Sequence, residues 1–268
     1  GAERAAERAH DVLARLLPRE EALVRVRVEG PTWLDVARWE GDAIPAPQAR
    51  WALRELDGLV VGGETLRVHV DPPLRAGRSA PPWRPRAERR RELFSRWDRG
   101  VRYDDEGLFS ATLEALADQI ARGASGVVID GTCGIGSIAI ALARRPEVTR
   151  VIAVDLDAAR LEMARHNAGL YEVAGKISFV HGDVRDVIAR ERPDRLVLDP
   201  PWGGRDYDRD RISLGDLALD VRPLIGSFEG AIVLKLPRSA DVGELTGWDL
   251  EAGIDARGVI KMLIARRA

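Results

Sequence analysis

The sequence Val127-Val-Ile-Asp130-Gly-Thr-Cys-Gly134-Ile-Gly136 runs from a buried strand through a glycine-rich turn into a helix. Glycines at such a turn let a ligand approach the backbone closely. In open parallel sheets, ligands bind outside the carboxyl ends of the strands. The stretch therefore predicts a ligand-binding turn within an α/β fold.

Helices and strands alternate along the chain from Thr112 onward, on both sides of this turn. Apolar strands are predicted near residues 126–130, 150–155, 176–180, 194–199, 230–236 and 258–265. Alternation of this kind favours a parallel sheet with helices on both faces. We therefore predict an α/β fold with a Rossmann-like sheet.

Each of the first four predicted strands of this sheet ends at or near an acid: Asp130, Asp155, Asp183 and Asp199. A sheet that serves only as structure has no need of this arrangement. At a ligand site, the first acid could hold a methionyl amino group, the second ribose hydroxyls and the third an adenine amine. The predicted cofactor contacts are Asp130, Gly131, Cys133, Gly134, Gly136, Asp155, Asp183 and Val184.

Two cofactors fit this pattern, because Gly134-x-Gly136-x-x-Ala139 followed by Asp155 also satisfies a loose dinucleotide fingerprint. A phosphate-binding turn usually has glycine directly after the strand, where this chain has Asp130. A carboxylate there would repel a pyrophosphate and attract the amino group of S-adenosylmethionine. The sequence thus favours S-adenosylmethionine over NAD. Cys133 is interpreted as a small loop residue, since no histidine is placed to activate it.

Asp199-Pro200-Pro201-Trp202-Gly203-Gly204 follows the apolar run Arg195–Leu198. The carboxylate and a backbone carbonyl can accept hydrogen bonds from a planar NH2 group. The prolines stiffen the loop and remove competing donors, and the aromatic ring can stack on a base. The motif predicts methyl transfer to an exocyclic amine, with a plain turn as the alternative.

Composition bounds the class of protein. The 268 residues include one cysteine, which excludes an internal disulfide, and four histidines without metal-ligand spacing. We expect no metal, no membrane span and a reducing, cytoplasmic setting. Between Arg75 and Arg102 ten arginines face three acids, which gives 10 − 3 = +7. This charge favours an anionic partner such as RNA or a nucleotide, or else a solvated linker.

The predicted domains are an accessory α+β unit at 1–75, a basic linker and cofactor-covering segment at 76–110, and the Rossmann-like domain at 111–268. The accessory unit includes a predicted helix at 3–17, a half-exposed strand at 24–28 and a helix opened by Pro47. We interpret it as a packing or substrate-gating domain.

Several blocks between about residues 90 and 265 resemble the trimethylguanosine synthase family of RNA cap guanine-N2 methyltransferases. They are Leu93–Asp98, Gly100–Ser110, Asp130–Gly134, Val154–Asp157, Ala164–Ala168, Asp199–Tyr207 and Leu236–Arg238. The resemblance implies a class I methyltransferase fold and S-adenosylmethionine as cofactor. The chain departs from the family at Asp199, where the family often has serine.

The resemblance also implies roles for individual residues. Trp202 would stack on guanine, with Asp199 and the Pro200 carbonyl against its N2 amine. The remaining implied contacts are Phe94 and Ser95 over the cofactor, Asn167 near the base, and Tyr207 and Arg238 at the phosphates. Asn167 has a structural alternative as a brace for its helix, Phe94 as a core residue, and Arg238 as a surface arginine.

The expected function is methyl transfer from S-adenosylmethionine to the N2 amine of a guanine, in RNA or a capped nucleotide. One alternative is methylation of a small guanine-like or amine-bearing metabolite. Another is a non-catalytic RNA-binding protein that retains the fold, although it would leave the acid-ended strands without a purpose.

Overall fold

The computed structural model describes residues 23–34, 40–74, 86–202, 211–256 and 258–268. The helix predicted at 3–17 and the predicted phosphate contact Tyr207 lie outside these ranges, as does most of the predicted linker. The chain divides into two compact units. The first takes in the described residues of 23–59 and 64–74, and the second takes in 60–63 and all described residues from 86 onward.

The first unit is a three-stranded antiparallel sheet with one helix. The central strand carries valines that are buried and arginines that are exposed in strict alternation, so one face of the sheet packs and the other meets water. This confirms the half-exposed strand predicted at 24–28. The elements are β1 (Leu23–Glu29), β2 (Glu40–Pro45), α1 (Ala46–Glu55) and β5 (Arg67–Asp71), with sheet order β2-β1-β5.

The second unit contains a seven-stranded sheet in the order β11-β12-β10-β9-β6-β7-β8. Five neighbouring strands are parallel, and the last two strands form an antiparallel hairpin at one edge. The strands are β6 (Gly126–Asp130), β7 (Val148–Asp155), β8 (Ile177–His181), β9 (Arg195–Leu198), β10 (Ala231–Pro237), β11 (Asp249–Ile254) and β12 (Ile260–Arg267). The short strands β3 (Val60–Val61) and β4 (Glu64–Thr65) precede them in the chain.

Helices connect these strands and also precede the sheet. They are α2 (Arg86–Leu93), α3 (Asp105–Ser110), α4 (Glu114–Ile120), α5 (Ser137–Ala143), α6 (Ala158–Leu170), α7 (Val184–Glu191) and α8 (Arg222–Ser227). Residues 138–143 in α5 are all buried, which places that helix deep in the core. The predicted alternation of strand and helix is thus confirmed.

Strand β11 was not predicted, and the sheet is not wholly parallel. The β11 sequence Asp249-Leu-Glu-Ala-Gly-Ile contains two acids and a glycine, and most of its residues are only partly buried. It lies at the edge of the sheet, where burial is incomplete, so its sequence lacks the apolar run that identified the inner strands.

The chain order changes direction at β6. From β6 the chain proceeds outward through β7 to β8, and then returns to place β9 on the other side of β6. Right-handed connections on the two sides of such a point put their helices on opposite faces of the sheet. The carboxyl ends of β6 and β9 therefore border the crevice where open α/β sheets bind ligands.

Candidate active site

The turns that follow β6 and β9 are bound to each other at the point where the chain order reverses. Asp130 ends β6 in register with Val197 of β9. The amide of Gly131 donates to the Val197 carbonyl at 2.9 Å. The amide of Asp199 donates to Thr132 Oγ1 at 2.8 Å. These bonds fix the Asp130 and Asp199 backbones next to each other.

Asp130 is a completely buried acid whose carboxyl oxygens make no hydrogen bond of normal geometry. Burial, reinforced by the nearby charges of Asp199 and Asp155, raises the pKa of this carboxyl to about 7, and the backbone amides of Thr132 and Ala139 act in the opposite direction. An unpaired buried carboxylate is costly to a folded protein. A cationic ligand group at this position would remove that cost.

The glycines of the turn after Asp130 have definite steric reasons. A Cβ on Gly131 would lie 2.6 Å from side-chain atoms of both Leu198 and Val184. Gly134 and Gly136 have φ angles of +53° and +96°, a conformation that side chains disfavour. A Cβ on Gly134 would meet no atom within 4 Å, so this part of the backbone faces open space. The turn thus presents bare backbone to a ligand.

Asp155 ties the end of β7 to this turn. Its Oδ2 accepts from the amide of Gly134 at 2.6 Å, and its Oδ1 accepts from the amide of Asp157 at 2.9 Å. Burial, with the charges of Asp130 and Asp155, raises the pKa of the Cys133 thiol well above its usual range. Such a thiol is a poor nucleophile, which fits the interpretation of Cys133 as a small loop residue.

Asp183 follows β8 and caps helix α7, accepting from the amide of Arg185 at 2.9 Å. The Arg185 guanidinium also binds this carboxylate and, together with the backbone amide, lowers the pKa of Asp183 to about 2. A cap of this type leaves acceptor capacity on the carboxylate. Its contact with an adenine amine stays a prediction.

Asp199 forms a buried ion pair that the sequence analysis missed. Lys235 Nζ lies 2.5 Å from Asp199 Oδ2, with the two side chains 4% and 18% exposed. Lys235 directly follows Leu234, which is in register with Leu198 of β9. Burial raises the pKa of the Asp199 carboxyl, and the Lys235 ammonium acts in the opposite direction.

The same ammonium also contacts Trp202. Lys235 Nζ lies 4.7 Å from the centroid of the indole ring, within the range of a cation–π interaction. The partly buried Trp202 packs against the hydrophobic core. The acid and the aromatic of the Asp-Pro-Pro-Trp motif are thereby linked through one lysine.

A signal for Lys235 was present in the sequence. It is the single charged residue in the apolar run Ala231–Pro237, which was correctly predicted to be a strand. Lysine is almost never fully buried unless it is paired. A lone lysine in such a strand therefore indicates a buried acid on a neighbouring strand.

The prolines of the motif differ in their contacts. Pro200 is buried and Pro201 is exposed, and the Pro201 carbonyl accepts from the amide of Ala218 at 3.2 Å. The contact of the Pro200 carbonyl with a substrate amine stays a prediction. Arg238 is half-buried just after β10, and its carbonyl accepts from the amide of Gly62 at 2.9 Å.

Phe94 and Ser95, predicted to cover the cofactor, lie in different surroundings. Phe94 is buried and lines a small pocket together with Tyr103, Leu108 and Ile135, the last of which belongs to the glycine-rich turn. Ser95 Oγ instead lies 3.0 Å from Glu114 Oε1 at the start of α4. The structure thus brings Phe94, but not the Ser95 hydroxyl, toward the turn.

Asn167 does not contact a substrate in the way the resemblance implied. It is completely buried, and its amide group is fully used within the protein. Its oxygen accepts from the Arg102 amide at 2.8 Å, and its nitrogen donates to the carbonyls of Arg102 and Ile135 at 2.9 and 3.0 Å. This corrects the prediction in favour of the alternative, a brace between α6, the turn and the preceding segment.

Part of the basic segment is packed rather than solvated. The guanidinium groups of Arg90 and Arg91 lie 5.3 and 5.0 Å from the ring centroids of Tyr103 and Trp97. Arg89 Nε donates to the Leu108 carbonyl at 2.5 Å. These arginines fix α2 against the segment that follows it.

Two comparisons place the chain among known proteins. A family model described as RNA cap guanine-N2 methyltransferase matches residues 125–255. The trimethylguanosine synthase of Schizosaccharomyces pombe is 30% identical over 182 residues, which are 59% of this chain and 72% of that protein. The chain belongs to the RNA cap guanine-N2 methyltransferase family. Family membership confirms the predicted resemblance and S-adenosylmethionine as the cofactor.

Other relatives of this family member are bacterial. An uncharacterised S-adenosylmethionine-dependent methyltransferase of Mycobacterium tuberculosis is 32% identical over 155 residues, which cover 57% of this chain and 41% of that protein. A crystal structure of a putative methyltransferase from Porphyromonas gingivalis W83 superposes with a TM-score of 0.55 at 22% identity, covering 68% of this chain and 47% of that one. That likeness confirms the Rossmann-like fold. The chain spans less than half of these two longer proteins.

Metal and membrane elements were searched for in the same described ranges. No group of three or more histidine, cysteine or acidic side chains there could hold a metal ion. None of the described helices combines the length and the apolar character that crossing a bilayer requires.

Proposed function

We propose that this methyltransferase transfers a methyl group from S-adenosylmethionine to the exocyclic N2 amine of a guanine, in RNA or a guanine nucleotide. The observation that carries the proposal is the buried acid Asp199 placed beside Trp202 at the carboxyl end of β9. Family membership supports the same chemistry.

The residues around the glycine-rich turn fit S-adenosylmethionine. Asp130 has a buried carboxyl group without a cationic partner among the described residues, which suits the methionyl ammonium. Gly134 exposes backbone beside it, and Asp155 lies at the end of the next strand, where ribose hydroxyls would be held. When bound, the cofactor supplies an electrophilic methyl group on a sulfonium. Asp183 would accept from the adenine amine.

At the substrate end, Asp199 is the hydrogen-bond acceptor for the N2 amine and Trp202 is the stacking surface for the base. The amine is a weak nucleophile because its lone pair is delocalised into the ring. Orientation therefore supplies most of the rate. The N–C bond forms as the S–C bond breaks, and the N2 proton, acidic only after methylation, then leaves to water.

An ionised Asp199 is essential to this arrangement, because a protonated carboxyl group loses acceptor capacity. Burial opposes ionisation, and the ammonium of Lys235 favours it. Lys235 is thus a positioning residue, which keeps the acceptor charged and holds it in one place.

The test is transfer of labelled methyl from S-adenosylmethionine to total RNA and to guanine nucleotides by the full chain. Asp199→Asn should lower kcat/KM by at least about a hundredfold, as expected when a preorganised polar contact to the reacting group is lost. A matched control is Glu191→Gln, which removes an acid paired with Arg150 near the amino ends of the strands. Equal activity of Asp199→Asn and the control would refute the proposal. Label on small amines alone would support the metabolite alternative.

A further inference from the structure

We propose that the base accepted at Trp202 is an electrically neutral guanine, and that a 7-methylated guanine, which carries a positive charge, is disfavoured. This inference rests on the proposed function and names the substrate class of the same site. The juxtaposition that carries it is Lys235 between Asp199 and the Trp202 ring.

The first step concerns the charge of the acceptor. An isolated carboxylate beside the base would attract a cationic guanine more strongly than a neutral one. Here the Lys235 ammonium lies 2.5 Å from Asp199 Oδ2 and is itself almost wholly buried. The pair has no net charge, and its attraction for a cation is largely cancelled.

The second step concerns the stacking surface. A cationic base gains from an indole ring because the negative face of the ring attracts positive charge. The Lys235 ammonium already lies 4.7 Å from the centroid of the Trp202 ring and polarises it. A second cation stacked on the same ring would lie within a few ångströms of this ammonium and be repelled, with little intervening water to screen the charges.

The third step compares the two bases. A neutral guanine keeps its stacking and its N2 hydrogen bond to Asp199 and meets no repulsion. A 7-methylated guanine makes the same contacts and adds a like charge next to Lys235. We expect roughly tenfold or greater preference for the neutral base, a typical consequence of one unfavourable charge contact at partly buried distance.

The experiment uses the full chain, labelled S-adenosylmethionine and two RNA transcripts that differ only in the N7 methyl of a 5′ guanosine cap. Nuclease digestion after the reaction separates the cap from internal guanines. Label on internal guanines or on the unmethylated cap, and at least tenfold less on the 7-methylated cap, supports the inference. Equal or greater label on the 7-methylated cap overturns it, while the proposed function stands. Label on neither transcript contradicts the proposed function itself.

Lys235→Met tests the cause of the preference. This variant removes the ammonium and keeps the length of the side chain, so the ratio of kcat/KM values for the two caps should shift toward the 7-methylated one. An unchanged ratio in a folded variant would overturn the role given to Lys235. Because the variant leaves Asp199 without its partner, the double variant Lys235→Met/Asp199→Ser provides a second measurement. It removes both charges, and binding of the two unlabelled caps to it, followed by tryptophan fluorescence, should lose the preference for the neutral base.

Discussion

Replacement of Lys235 by methionine should strongly destabilise the folded chain. The lysine lies in the interior of β10, with 4% of its side chain exposed, and its ammonium contacts Asp199 at 2.5 Å. Methionine has a similar length and can occupy the same apolar surroundings. The main consequence is therefore electrostatic, because Asp199 keeps a buried charge and loses its counter-ion.

The magnitude follows from the distance and the burial. At 2.5 Å and an effective dielectric constant of about 20, the two charges attract each other by about 7 kcal/mol, much of which offsets the cost of removing them from water. Removing one partner of such a pair typically costs about 3–5 kcal/mol. We expect a loss of this size in the free energy of unfolding at pH 8.

Urea denaturation at several pH values provides the assay. Burial already raises the folded-state pKa of Asp199 above its unfolded value, and loss of Lys235 raises it further. A folded state that binds a proton more tightly gains stability as the pH falls, so the deficit of the variant should shrink between pH 8 and pH 5. Asp199→Asn in the same chain should restore much of the loss. A single variant as stable as the wild type at pH 8, or a deficit independent of pH, would refute this reasoning.

Three further outcomes are expected. Trp202→Ala should raise KM for the guanine substrate by the value of one base stack, about 1–3 kcal/mol, whereas Trp202→Phe should retain most of the affinity in the same steady-state assay. Gly131→Ala should lower the melting temperature by an overpacking cost of about 1–3 kcal/mol, because its Cβ meets two side chains at 2.6 Å, and Gly175→Ala, which meets none, should not. Calorimetry should show S-adenosylmethionine affinity falling as pH drops through about 7, where Asp130 takes up a proton, and Asp130→Asn should bind weakly with a flatter profile. A wild-type affinity independent of pH would contradict the role of Asp130.

The sequence predicted the fold well where burial is complete. The inner strands of the sheet are uninterrupted apolar runs with a glycine-rich turn after the first, and such runs are typical of parallel strands covered on both faces. Strand β11 escaped because an edge strand with Asp249, Glu251 and Gly253 shows no such run. Its pairing with β12 depends on backbone hydrogen bonds that leave little trace in the sequence.

The site was predicted less completely, for physical reasons that particular residues illustrate. Asp130 and Asp199 were found because their position at strand ends is a local property of the sequence. Lys235 was missed because it lies 36 residues beyond its partner and acquires its meaning only through the pairing of β9 with β10. Asn167 was assigned to the substrate because an asparagine in a helix gives no indication of the loop that its side chain braces.

The most direct test of the central claim is to identify the nucleoside that receives the methyl group. RNA labelled by the full chain would be digested to nucleosides and resolved by chromatography with mass spectrometry, with Asp199→Asn as the blank. We predict that the label is in N2-methylguanosine and that the blank contains almost none. Label in another base or at another guanine atom, or equal label in the blank, would contradict the account.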